Sequence, residues 1–296
     1  MRIRISQYTT VFAVAVAVFA TTTPAIAHPG SGIVVDRTGQ IWFLDTGAGL
    51  WKIDTQGRLI HVGGNRFHWM TLDQDDRFAG AGLPRDVTRV GASPTLLIAS
   101  DYPIAAGRDG NLYYPAVTQN GRVQIMRATP AGPATVVVTL PATTTAGRPL
   151  QWLNGLTGGA DGHLYFTENN SIRRVTIQGQ VETVVKDVRV PGCVRIPGNA
   201  PSEGPFLRGL SVSATGIIYV AASGCGSLLR ITPQGQVTRL VQLKAPWSPT
   251  AVALFGPDIY VLEYLHTENE DRLAWVPRVR KVSADGKSVV VAKVER

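Results

Sequence analysis

Cysteine is scarce in this chain. The 296 residues hold two, Cys193 and Cys225. Neither stands in a C-x-x-C spacing, so the pair cannot build a zinc site on its own. Long apolar runs are missing too. The most apolar stretch, residues 11–20 (VFAVAVAVFA), covers ten residues, too few to cross a bilayer core of roughly 30 Å as a helix. No later stretch is long and apolar enough, so no membrane span is expected. Charge is unclustered. Lys and Arg number 29 against 21 Asp and Glu, for a formal charge of +8, two of it carried by Arg2 and Arg4. There is no Lys/Arg run and no interleaving of basic and aromatic residues, which sets nucleic acid aside as a partner.

The amino terminus reads as a leader. Arg2 and Arg4 precede the apolar run, and Ala25-Ile26-Ala27 puts small residues where a signal peptidase cuts. Residues 1–27 are therefore expected to be a signal peptide. Residues 28–296 are expected to form one domain, secreted or periplasmic.

What the chain does have is a repeat. Residues 36–45 read DRTGQIWFLD, and the same pattern returns at 109–115 (DGNLYYP), 161–168 (DGHLYFTE), 214–220 (ATGIIYV) and 256–263 (GPDIYVLE). Each copy is followed by an apolar-basic-apolar segment ending in a second glycine: WKIDTQG to Gly57, MRATPAG to Gly132, RRVTIQG to Gly179, LRITPQG to Gly235 and RKVSADG to Gly286. Alternation at period two with glycine punctuation is the strand signal, and the glycines supply the positive φ of tight turns. A sheet of four such strands cannot bury both faces alone. Packing sheets radially around an axis does so. The expected fold is all-β, a six-bladed β-propeller of four-stranded antiparallel blades. The second blade is inferred from residues 69–78 (WMTLDQDDRF), read as strand, turn and strand with Asp76 at the usual glycine position. Five blades is the alternative count.

The short, uniform turns joining strands one to two and three to four share one face. The long connections, among them residues 65–68, 191–207 and 264–277, share the other. Long loops on a regular scaffold carry binding groups. On that face the first residues of the inner strands open onto the channel: Ser31, His68, Tyr102, Asn154 and Arg208, with Trp152 and Thr250 beside them. The expected ligand is a small anionic or sugar-like molecule, bound by a chain acting as a monomer. Water solvating the mouth is the plainer alternative. Glu168 and Glu263 close the second strands of their blades, where an acidic side chain caps the following hairpin. Together with His68 they are the candidates for acid–base chemistry. Cys193 and Cys225 fall in two connections of the same face and are expected to form a disulfide, with two buried thiols as the alternative.

The D-x-x-G-x-[IL]-[YW]-[VF]-x-[DE] and [KR]-[IV]-x-x-x-G pattern resembles NHL-repeat propellers and the gluconolactonase/regucalcin-like and strictosidine synthase-like groups. Residues 165–174 are also similar to blades of virginiamycin B lyase-like proteins. The gluconolactonase-like resemblance implies a divalent metal (calcium, magnesium or zinc) held at the channel mouth by a Glu, an Asn and an Asp. Asn154 matches the Asn. Ser31 stands at the Glu position and Arg208 at the Asp position. The alternative function that follows is a divergent metal-assisted hydrolase or lyase using Asn154, His68 and Glu168 or Glu263.

Overall fold

A computed structural model describes residues 29–91, 94–141, 153–193, 204–265 and 274–295. The expected leader, its cleavage point before His28, and Trp152 lie outside the described residues. The chain forms an all-β propeller of six blades. Five blades have four strands in sequence order, running outward from the axis, and every neighbouring pair is antiparallel. The inner strands are Ile33–Val35, Trp69–Leu72, Ala105–Ala106, Leu153–Gly158, Leu207–Val212 and Trp247–Phe255. Each packs against the inner strands of its two neighbours, so the six close a ring.

The repeat has a local cause. In the turn between strands one and two, an aspartate carboxylate collects donors from its own hairpin. Asp36 accepts from the Thr38 and Gln40 amides and from the Trp42 indole at 2.9 Å. Asp109 takes the Tyr113 hydroxyl at 2.7 Å and Asp161 the Tyr165 hydroxyl at 2.6 Å. The glycine that follows sits at positive φ in each case, +87° at Gly39 and +70° at Gly110. The turn motif and the aromatic of the next strand are thus one hydrogen-bonded unit, which is why they recur together.

Alternation then decides the packing. Phe43 faces the last blade, while its neighbours Trp42 and Leu44 face the second. Val220 faces blade four, while Tyr219 and Ala221 face blade six. Among the described residues each of the six blade-to-blade interfaces has its own apolar cluster. The first and last blades each supply their own four strands, and the ring closes without strand exchange.

Blade two departs from the expected plan. Trp69–Leu72 is its inner strand, and Asp76 does adopt the glycine-like conformation, with φ of +52°. The second strand is not at Phe78. The chain makes a short 3-10 turn at Gln74–Asp76 and runs outward to Val87–Val90. It then returns through Leu96–Ala99, which pairs with both other strands. The sheet has three strands, and the last in sequence lies in the middle. Phe78 fills the interface with blade three, 2 % exposed. Its aromatic character served packing rather than pairing.

Candidate functional site

The mouth is shaped by bulges. Register slips between Leu153 and Gly155, between Leu207 and Leu210, and between Pro249 and Ala251. The residues released from the ladder are Asn154, Arg208 with Gly209, and Thr250, at the same end of three successive inner strands. A bulge re-aims a side chain without ending the sheet. The neighbouring glycines let the strands approach. A Cβ on Gly155 would come within 2.6 Å of the Arg208 carbonyl oxygen, and one on Gly209 within 2.7 Å of the Ala251 methyl. Below the mouth runs a channel cavity of about 280 Å³ that reaches from Ser31 to Gln74, and among the described residues none that lines it is charged.

Arg208 is the unusual group here. It is 3 % exposed, and no carboxylate among the described residues pairs with it. Its Nη2 donates to the Pro29 carbonyl oxygen at 2.5 Å, and its Nε has no partner. Burial lowers its pKa to about 10, against an opposing pull from the Tyr264 phenol, so the guanidinium is charged at neutral pH. Tyr264 is fully buried nearby and donates to the Leu44 carbonyl oxygen at 2.6 Å. Burial first, and the Asp45 charge second, push its phenol up.

The other mouth residues divide. Ser31 Oγ and Asn154 Nδ2 are buried and without hydrogen-bond partners among the described residues. The Ser31 amide donates to the His68 carbonyl oxygen at 2.7 Å, tying the first blade to the second. His68 holds its Nδ1 at 2.6 Å from the Ser100 carbonyl oxygen. A carbonyl only accepts, so Nδ1 is the donating nitrogen. Thr250 turns its hydroxyl to the Leu262 carbonyl oxygen at 3.4 Å. Tyr102 is directed elsewhere. Its ring stacks on Tyr114 and its hydroxyl bonds the Arg85 carbonyl oxygen.

The two glutamates are engaged by arginines. Glu168 accepts from Arg173 at 2.9 Å. Glu263, with no exposure, is held by Arg278 Nε at 2.5 Å and Arg280 Nε at 2.6 Å. Arg278 also lies over the Trp247 ring, 3.7 Å from its centre. Among the described residues, the donors at this mouth do not fit a divalent metal. The slots that resemble its ligands hold a hydroxyl, one amide and a buried guanidinium. Among the described residues no three His, Cys, Asp or Glu side chains come together.

Cys193 and Cys225 form a disulfide, with Cα atoms 4.9 Å apart. It joins the connection after blade four to the 3-10 turn Ser223–Cys225, which links strands two and three of blade five. Both connections therefore share the long-loop face, next to Arg208. Sequence reasoning missed Tyr264 and Pro29. Tyr264 follows Glu263 at a strand end and offered a buried phenol as its only signal, and Pro29 offered none.

No protein-family model matches the chain, and no curated protein matches its sequence. Solved structures do match. Virginiamycin B lyase from Staphylococcus aureus aligns with a TM-score of 0.53 at 16 % identity, over 90 % of this chain and 85 % of that one. Regucalcin from Agrobacterium tumefaciens, described as a calcium-binding protein, gives 0.54 at 15 % identity over 82 % and 84 %. A luciferin-regenerating enzyme gives 0.52 at 17 % identity over 85 % and 91 %. What they share with this chain is the fold.

Proposed function

We propose that this chain is an exported binding propeller whose channel mouth takes a small anion, carboxylate- or phosphate-bearing and sugar-like in size. The observation that carries this is Arg208: a buried cation with an unpartnered Nε and, among the described residues, no carboxylate paired with it. Leaving an ion buried without a counter-charge costs several kcal/mol, and an incoming anion removes that cost. The unpartnered donors at the mouth, Arg208 Nε–H and Asn154 Nδ2–H, ask for a ligand that brings acceptors. Export is supported by the amino-terminal leader pattern and by the disulfide, which suits an oxidising compartment.

The test is titration calorimetry of the oxidised protein with D-glucuronate, inorganic phosphate and neutral D-glucose. The two anions bind and glucose binds far more weakly. Arg208→Met abolishes anion binding while the fold keeps or gains stability, since an apolar side chain of similar length removes the desolvation cost. Equal affinity for glucose and glucuronate, or binding that survives Arg208→Met, rules the reading out.

A further inference from the structure

The anion reading leaves one contact unexplained. The partner that Arg208 does have is not a ligand but the chain's own main chain, 179 positions away, at the Pro29 carbonyl. Pro29 and Gly30 are both buried. Gly30 is seated where blades one and six meet. A Cβ there would come within 3.1 Å of the Tyr264 hydroxyl oxygen and 3.4 Å of the Leu44 carbonyl oxygen. The next residue, Ser31, donates its amide to His68 at the start of blade two. Three consecutive residues thus touch blade five through Arg208, blade six through Tyr264, blade one through Leu44, and blade two through His68. A segment with those four contacts lies at the end of the channel cavity that Ser31 lines.

Glycine at position 30 suits this course, because even a Cβ would press on the Tyr264 hydroxyl at 3.1 Å, and a larger side chain would have to displace the Tyr264–Leu44 bond or the segment itself. Polar contacts hold the segment, among them the Pro29 carbonyl on Arg208, the Gly30 amide on the Tyr264 hydroxyl and the Ser31 amide on His68. The carbonyl is a neutral acceptor. It satisfies one donor of the guanidinium and leaves its charge uncompensated, so an anion interacts with Arg208 more strongly than Pro29 does.

We propose that residues 29–31 are a strap across the mouth, with the Pro29 carbonyl oxygen standing in for the anion on Arg208, so that ligand entry requires the strap to lift. This rests on the anion reading of the site and adds a gate to it. The apparent affinity is then reduced by the fraction of molecules with the strap open, and weakening the strap raises affinity without altering any ligand-binding side chain.

Amide hydrogen exchange at Ser31, with and without saturating D-glucuronate, reads the strap directly. In the wild-type protein glucuronate accelerates Ser31 exchange by about tenfold or more, while amides of the blade strands are unchanged. Gly30→Val, which unseats the strap and leaves Arg208 in place, shows fast Ser31 exchange already without ligand and binds glucuronate about tenfold more tightly. Binding by Gly30→Val where the wild type shows none also supports the gate. Glucuronate binding with Ser31 exchange unchanged overturns the strap and leaves the anion site standing. Absence of binding in both proteins overturns both. Should Gly30→Val fail to fold, the wild-type exchange comparison decides alone.

Discussion

Tyr264 in the second strand of the last blade donates its hydroxyl to the main-chain oxygen of Leu44 in the first blade, 2.6 Å away and 220 positions back along the chain. Both side chains are fully buried. Because no strand is exchanged between these blades, this bond and the apolar cluster around Phe43, Leu262 and Val279 are what closes the ring. Tyr264→Phe keeps the ring and removes the bond, at a cost of about 1–2 kcal/mol. Urea denaturation should show a lower midpoint at unchanged slope. An unshifted midpoint would mean that apolar packing alone closes the propeller.

Glu263 sits between two arginines that are themselves mostly buried, at 13 % and 16 % side-chain exposure. Glu263→Gln leaves both cations facing each other without their counter-charge. The expected loss is about 3 kcal/mol or more, and adding Arg278→Met should recover part of it. A loss under about 0.5 kcal/mol, the size typical of surface ion pairs, would contradict the buried geometry.

The disulfide links cysteines 32 positions apart, and its closure is expected to contribute about 3–4 kcal/mol through the unfolded chain. Cys193→Ser with Cys225→Ser should lower the denaturation midpoint accordingly and loosen the long-loop face beside Arg208. A thiol reagent should label no cysteine in the denatured, unreduced protein. Two labelled positions would show that the bridge does not form.

Acid should weaken the first blade through Asp36. Burial raises its pKa, but hydrogen bonds from Thr38, Trp42 and Gln40 outweigh that effect and hold it below the usual carboxylate value. A depressed folded pKa means stability that is full above the unfolded value, near 3.8, and lost as pH falls through the folded one. Asp36→Asn should therefore destabilise the protein at neutral pH by about 1–2 kcal/mol. Below about pH 3 the variant and the wild type should converge. A gap that stays constant from pH 7 to pH 2, measured by denaturant melts, would show that the carboxylate charge is not what holds the turn.

The blades were legible because their determinants are local. Asp161, Gly162 and Tyr165 lie within five positions and fold as one hydrogen-bonded turn, so a reader of the sequence meets turn and strand together. The long-loop face followed from the same turns, and with it the pairing of Cys193 and Cys225. Blade two resisted for the complementary reason. Its turn aspartate, Asp76, was recognisable, yet the partner of Trp69–Leu72 lies at Leu96–Ala99, beyond another strand. Pattern within a strand does not say which strand it pairs with, since any apolar segment of matching period competes for the same edge.

The amino-acid sequence by itself determined the repeat, the turns, the alternation that sends Phe43 to one neighbour and Leu44 to the other, and the inner-strand slots of Asn154 and Arg208. Tertiary structure alone decided what those slots face. It set Glu263 between Arg278 and Arg280, sent Tyr102 to Tyr114 and away from the mouth, and laid Pro29 over Arg208. The physical reason is that charge and hydrogen-bonding capacity are written in each residue, whereas the partner that meets them depends on ring closure. Ring closure brings Pro29 to Arg208 and Leu44 to Tyr264 across most of the chain, and no local pattern encodes a contact between segments so far apart.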